Sequence, residues 1–244
     1  MSEVLGVEIG REKPVSWTLR LGVRATALMR RLIGPRRALD VMLDLEWVSH
    51  RFAHELASDV LGEEYHVQAR ALSPQTLQRW VPQGSRVVDL GCGRGQWARI
   101  VAPLAAEVVG IDRDPAHIDH ARQLGGPPNL RFVLGSINDL AEAQRDHPFD
   151  VGLLVHVIEH IDDDVSLLRD IRAVAARLIL EVPDLGALAT NYVRQERGRP
   201  LWTDADHVRE YDLALLASRL NEAGWEVTEV QRAWGMLAVL ADRR

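Results

Sequence analysis

Two short apolar runs, Val87-Val88-Asp89-Leu90 and Val108-Val109-Gly110-Ile111, stand on either side of a segment with helical spacing. Each run has the length of a buried strand, so Arg86 to Asp112 reads as strand, loop, helix, strand. The alternation continues along the chain. Strands are predicted at 86–90, 107–112, 130–134, 149–155 and 177–182, and helices at 95–105, 115–124 and 163–176. Asp114-Pro115 opens the second of these helices with a capping residue followed by proline. Asp212 caps a further helix that ends at Gly224, and strands at 225–231 and 236–241 follow. Strands and helices in this order imply a parallel sheet covered on both faces. Between them, 183–210 reads as one long irregular connection, and a connection of that length in a compact domain usually carries function.

Upstream the pattern is helical throughout. Trp17 to Ile33 fits one helix, broken by Gly34-Pro35. Residues 37–61 fit a second, with Leu39, Met42, Leu43, Trp47, Phe52, Leu56 and Val60 spaced for one buried face and Gly62 placed as its C-cap. Ser73-Pro74 opens a short helix into Trp80, whereas residues 1–15 show no period and read as a loose arm. The expected organisation is a helical N-terminal cap over 1–72 and an α/β domain over 73–244. Arg30, Arg31, Arg36 and Arg37 cluster at the helix break, where they either bind an anionic group or form a solvated basic face.

The bulk numbers narrow the partners. The chain has 244 residues, room for one well-buried α/β domain with an addition but not for two full domains. Its net charge of −6 argues against a general affinity for nucleic-acid phosphates, and nucleic acid is not an expected partner. Its one cysteine, Cys92, excludes a disulfide framework and fits a reducing compartment. With no base beside it in sequence, Cys92 reads as a packing residue. No run approaches the length of a membrane span and the N-terminal pattern is not that of a signal peptide, so a cytoplasmic protein without a membrane partner is expected.

The chemistry begins where the first strand ends. Gly91, Gly93 and Gly95 let the backbone approach a ligand closely, and Asp112, about twenty residues on, can accept from ribose hydroxyls. The spacing G-C-G-R-G is too short to cradle a pyrophosphate as G-x-G-x-x-G does. Asp89, just before the glycines, can hold a cationic amino group or orient the loop. These features suit a nucleoside that carries an amino acid.

VVDLGCGRG followed by VVGIDRD resembles the first two motifs of class I S-adenosylmethionine-dependent methyltransferases. The similarity runs on through PFDVGLLVHVIEHIDD and DADHVREYDLALLASRLNEAGWEV, from Ser73 to the C-terminus. The resemblance implies a Rossmann-like, doubly wound α/β fold, with a seven-stranded, mostly parallel sheet whose last strand is antiparallel. It places Asp89, Gly91, Gly93 and Gly95 along the methionine portion of S-adenosylmethionine and Asp112, with Arg113 after it, at the ribose. Ser136 and Ile137 fall beside the adenine, where many relatives have Gly-Asp, so the Ser136 hydroxyl is expected to replace a carboxylate acceptor. Val155 closes the cofactor set at the end of the fourth strand.

In open α/β sheets the ligand lies beyond the carboxyl ends of the strands, and the fourth strand runs into His156-Val157-Ile158-Glu159-His160. If this is a helix's opening turn, positions i, i+3 and i+4 share a face and the two imidazoles and the carboxylate converge. A histidine can take the proton of a hydroxyl as its oxygen attacks the sulfonium methyl. Alternatively the same groups hold a divalent cation that acidifies a bound hydroxyl, or one histidine merely caps the helix. The resemblance extends here to ubiquinone-pathway O-methyltransferases and small-RNA 2′-O-methyltransferases, in which Glu-x-x-Glu-His and a distant histidine bind a divalent metal. By it Glu159, His160 and His207 are metal ligands for Mg²⁺ or Mn²⁺. His156 replaces the first glutamate of that motif, either as a ligand or released as a general base beside His160.

Trp202, in the long connection near His207, is either an acceptor platform or a pin that fixes the loop. Seven tryptophans against three tyrosines and three phenylalanines tilt the expected acceptor toward a saccharide bound by Trp202 and His207. A quinone or phenolic acceptor is the alternative reading, and a non-catalytic cofactor-binding partner subunit is the alternative from a different class. The long second helix is a candidate homodimer surface.

Overall fold

The computed structural model describes residues 17–62, 70–137, 139, 148–199, 201 and 206–244. The predicted arm over 1–15 and Trp202 lie outside the described residues. The chain divides into two compact units, Met1–Ala53 and His54–Arg244. Helices α1 (Trp17–Ile33) and α2 (Pro35–Leu61) are joined at Gly34, whose φ of +83° is readily reached only by glycine. The expected buried face of α2 is not formed among the described residues. Ala38 and Leu43 are its only buried side chains, whereas Phe52, Leu56 and Val60 are 59%, 62% and 80% exposed. Helical spacing guarantees that apolar side chains share a face, not that something covers it.

The second unit is built on one sheet of seven described strands: β1 (Ser85–Leu90), β2 (Ala105–Asp112), β3 (Leu130–Leu134), β4 (Phe149–Val155), β5 (Ala175–Pro183), β6 (Trp225–Ala233) and β7 (Met236–Arg243). Their order is β3-β2-β1-β4-β5-β7-β6, and only β7 runs antiparallel to its neighbours. Successive side chains point to opposite faces, so the sheet has two cores. Val88, Leu90, Leu178 and Leu180 pack with helices α6 (Asp164–Val174) and α8 (Leu213–Glu222). Val87, Ile179, Trp80 and Trp97 pack on the other face with α3 (Pro74–Trp80) and α4 (Gln96–Val101).

Capping residues fix where the helices begin. Ser73 accepts from the Thr76 amide at the start of α3, Asp114 from Ala116 at α5 (Pro115–Leu124) and Asp212 from Leu215 at α8. Helix α4 is shorter than its apolar pattern suggested, because Pro103 cannot continue the hydrogen-bond ladder and 102–104 tighten into a 3-10 turn. The stretch 183–210 is not wholly irregular. It contains a 3-10 turn at Leu185–Ala187, opened by Asp184, and an amphipathic helix α7 (Ala189–Glu196).

Parallel β1, β2, β3 and β4 bring four strand ends to one edge, and the order reverses between β1 and β4. Packing beneath the loop there is tight. Gly95 has φ +78°, and a Cβ on it would run into the Phe132 ring, over which the Arg99 guanidinium lies at 5.2 Å. Gly95→Ala should therefore lower stability by about 1–3 kcal/mol, combining backbone strain with overpacking. A thermal melt unchanged from the parent would mean that Phe132 swings away without loss.

Candidate active site

The glycine loop is held to the second strand by its own backbone. Gly91 and Cys92 donate to the Ile111 carbonyl at 2.8 and 3.0 Å, and the Gly93 amide donates to Asp112 Oδ2 at 2.8 Å. Gly91 has φ +74° and no room for a side chain, since a Cβ would stand 2.6 Å from Val157 Cγ2. Gly93 has φ +52° and open space where its Cβ would be, which is the side from which a ligand can meet the backbone. Asp112 Oδ1 accepts from the Asp114 amide at 2.9 Å, so the carboxylate is aimed by backbone and keeps lone pairs for further donors.

Asp89 is buried, and its Oδ2 accepts from the Ala98 amide at 3.0 Å, at the start of α4. This contact ties the end of β1 to the helix that follows the glycine loop. Burial pushes its carboxyl up to about 7; the Ala98 amide opposes the rise and the charge of Asp112 adds to it. Cys92 is buried, and desolvation together with the charges of Asp89 and Asp112 raises its thiol far above the ordinary value, as suits a packing residue.

Along the same edge Arg113 is exposed, while Ile137 and Val155 are half-buried at the ends of β3 and β4. Ser136 is bonded within its own loop. Its hydroxyl and amide both donate to Asp139 Oδ2, at 2.7 and 2.9 Å. These bonds hold the exposed Asp139 carboxyl below the usual range. The carboxylate that the Gly-Asp pattern lacked at 136 is thus present three residues later. The sequence signal was Ser-x-x-Asp, a turn motif closed by side-chain to backbone bonds.

Beyond β4 the chain does not form the opening turn of an α-helix. His156 has φ +55°, a conformation uncommon outside glycine, and a 3-10 turn follows at Ile158–His160. The three groups consequently split. The His156 ring is enclosed: Nδ1 lies 3.1 Å from Glu159 Oε1, Nε2 lies 3.3 Å from Glu181 Oε1, and the Arg70 guanidinium contacts Nε2. Glu159 is buried beneath it, and neither of its oxygens has an aligned hydrogen-bond partner among the described residues. Burial raises the Glu159 carboxyl, but the contact and charge of His156, its own amide and the charge of His207 outweigh this and hold it below the usual range.

His160 turns the other way and meets His207, ring to ring at 4.7 Å and nearly perpendicular. Ligand atoms of Glu159, His160 and His207 all lie within 4.8 Å of one another. The distant histidine is delivered by backbone bonds, since the Val208 and Arg209 amides both donate to the Glu159 carbonyl, at 2.8 and 3.3 Å. His207 Nδ1 lies 2.7 Å from Glu210 Oε1, a carboxylate that orients the ring so that Nε2 faces the cluster. His160 Nδ1 lies 3.3 Å from Asp206 Oδ2. An open cleft of about 580 Å³ borders His207 and is lined also by Leu185, Gln195, Arg199 and Glu210.

Three functional neighbours escaped the sequence. Glu181, within the predicted strand at 177–182, is fully buried, accepts the Leu72 amide at 2.6 Å and lies against His156. Arg70 and Glu210 gave no signal at all. Their partners lie 86 residues away and in the middle of a loop, respectively.

The carboxyl edge thus carries a glycine loop, the backbone-aimed carboxylate of Asp112 and the cluster of Glu159, His160 and His207 on one α/β domain. Residues 63–230 match the family described as "Methyltransferase domain", so the chain belongs to that family and carries an S-adenosylmethionine-dependent methyltransferase domain. It is 33% identical over 105 residues to a ubiquinone biosynthesis O-methyltransferase of Xanthomonas axonopodis pv. citri, covering 41% of this chain and 44% of that protein. The chain spans about half the length of the curated relatives it matches. Among solved structures, it resembles the complex between the Haloferax volcanii Trm112 methyltransferase activator and a methyltransferase, with TM-score 0.59, 18% identity and coverage of 79% of this chain and 95% of that one. It also resembles the magnesium protoporphyrin IX methyltransferase of Synechocystis PCC 6803 with bound SAH, with TM-score 0.52, 16% identity and coverage of 96% and 90%. These likenesses establish the fold, a Rossmann-like α/β sheet. No helix among the described residues is long and apolar enough to cross a membrane.

Asp89 supplies a pH test. Its carboxyl is raised in the folded state, so the fold binds this proton more tightly than the unfolded chain between about pH 4 and 7, and the ionised form opposes folding above that window. Asp89→Asn should therefore gain in stability relative to the parent as pH rises from 4 to 8, read as the difference between their thermal midpoints without cofactor. A pH-independent difference would remove the raised value from the account.

Proposed function

We propose that this chain transfers the methyl group of S-adenosylmethionine to a hydroxyl of a small molecule. The observation that carries this reading is the convergence of Glu159, His160 and His207 on the carboxyl edge that also bears the glycine loop. Asp112 and Arg113 bind the ribose, Gly91, Gly93 and Gly95 admit the methionine portion, Ser136, Ile137 and Asp139 flank the adenine, and Val155 lines the cofactor site at the end of β4. His160 takes the hydroxyl proton as the acceptor oxygen attacks in line: the oxygen–carbon bond forms, the sulfur–carbon bond breaks and S-adenosylhomocysteine departs. Both nitrogens of His156 are engaged, which assigns it to holding Glu159 rather than to proton transfer.

The cluster also fits a divalent metal. Glu159 is a buried, ionised carboxylate without an aligned partner, and two imidazoles face it, one oriented by Glu210. Glu159, His160 and His207 would hold the ion, which when bound acidifies a coordinated hydroxyl. A saccharide suits such a site because neighbouring hydroxyls can share it. Trp234 strengthens that reading: it is 71% exposed with φ +54°, in the hairpin turn whose Gly235 carbonyl accepts the Asp184 amide just beyond β5. An indole held out at this rim can stack on a sugar face. A phenolic or quinol acceptor is the second reading, favoured by the ubiquinone biosynthesis relatives.

His160→Ala should reduce turnover by about 10²–10⁴-fold while leaving the affinity for S-adenosylhomocysteine unchanged; retained turnover would overturn the site. Asp112→Ala should do the reverse, weakening cofactor binding in a calorimetric titration, and an unaltered affinity would remove the ribose assignment. Titration of Mn²⁺ into protein saturated with S-adenosylhomocysteine should give heat that is lost in His207→Ala. No heat from either protein would eliminate the metal and leave His160 as base.

A further inference from the structure

Among the described residues, sixteen of the large hydrophobic side chains left exposed lie on α1 and α2, and seven on all other elements. The excess is organised. On α1, Trp17, Leu21, Leu28 and Leu32 recur at helical spacing on one face and are 74%, 58%, 56% and 73% exposed. On α2, Val41, Leu45, Val48 and Phe52 follow the 4-3-4 spacing of a coiled-coil seam and are all exposed. The two helices do not pack along one another, and α1 buries no residue. An apolar surface of this extent on a water-soluble fold marks an interface.

Charge selects the occupant. Helix α1 contains Arg20, Arg24, Arg30 and Arg31 and no acid, whereas α2 contains Asp40, Asp44, Glu46, Glu55 and Asp59 against three arginines. In projection Arg20, Arg24 and Arg31 flank the apolar stripe of α1, and Asp44 and Glu55 flank that of α2, with Asp59 continuing its line beyond Phe52. An anionic lipid surface or a nucleic acid would suit α1 but be repelled by α2. A second copy of this chain satisfies both helices, because two-fold symmetry sets α1 of each copy against α2 of the other and forms the same oppositely charged contact twice. At 17 and 27 residues the helices can supply the roughly 20–30 residues a side of a standard interface.

We infer that α1 and α2 form a homodimer interface in which the basic, apolar face of α1 docks on the acidic, apolar face of α2 in the partner copy. The test is charge exchange, read by sedimentation equilibrium of the full chain. The parent should be a dimer. Chains carrying Arg20→Glu, Arg24→Glu and Arg31→Glu, or Asp44→Arg, Glu55→Arg and Asp59→Arg, should each dimerise at least about tenfold more weakly. An equimolar mixture of the two should recover the dimer, because both contacts are then again of opposite charge. Circular dichroism and S-adenosylhomocysteine binding verify that each variant retains its folded domain. A monomeric parent at tens of micromolar overturns the interface, as does a mixture of folded variants that stays monomeric. A monomeric parent that co-sediments with phosphatidylglycerol–phosphatidylcholine vesicles also overturns it, in favour of a lipid surface.

Discussion

Three of the carboxylates buried toward the carboxyl edge of the sheet, Asp89, Glu159 and Glu181, dictate how that edge is built. A buried carboxylate is unfavourable unless it is hydrogen-bonded, paired or neutralised, and each of the three meets the condition differently. Asp89 rests against the first turn of α4 and is pushed toward its neutral form. Glu181 takes the Leu72 amide and lies against His156 and Arg70. Glu159 has a charged neighbour but no aligned donor, and its carbonyl anchors the chain that carries His207. The edge is thus a polar network set on an apolar sheet, and the acid left least satisfied is the one that faces two imidazoles.

Within that arrangement the three histidines differ in the groups they lie against. His156 stands at the strand's end with a positive φ, an orientation that other residues rarely adopt and that is sustained by the groups around its ring. It bridges two buried acids, of which Glu181 also has the Leu72 amide and Arg70 beside it. His160 lies against the exposed Asp206, whereas His207 and its partner Glu210 both have nearly buried side chains.

The fold constrains the cofactor side more rigidly. Gly91 and Gly95 are required because Val157 and Phe132 fill the space beside them, whereas Gly93 faces the open side. Asp112 is aimed by amides from both the loop before it and the turn after it. The loop is therefore preorganised by the same β1–β2 pairing that builds the sheet, and catalytic geometry and core packing rest on one set of contacts.

Much of this was legible along the chain. The βα alternation, the caps Ser73, Asp114 and Asp212, the glycine loop and Asp112 depend on local spacing, and local spacing is what dihedral preference and strand or helix period express directly. What depended on distance in space was not legible. The helical phase drawn from His156 to His160 gave way to a 3-10 turn, because Glu181 and Arg70 from remote segments claim the His156 ring. Ser136 turned to Asp139, and the connection at 183–210 folded in part into α7 where no strong period announced it. The apolar positions of α2 that were expected to form one buried face are largely uncovered among the described residues. Periodicity determines that side chains gather on one side of an element; only tertiary packing decides what, if anything, meets them.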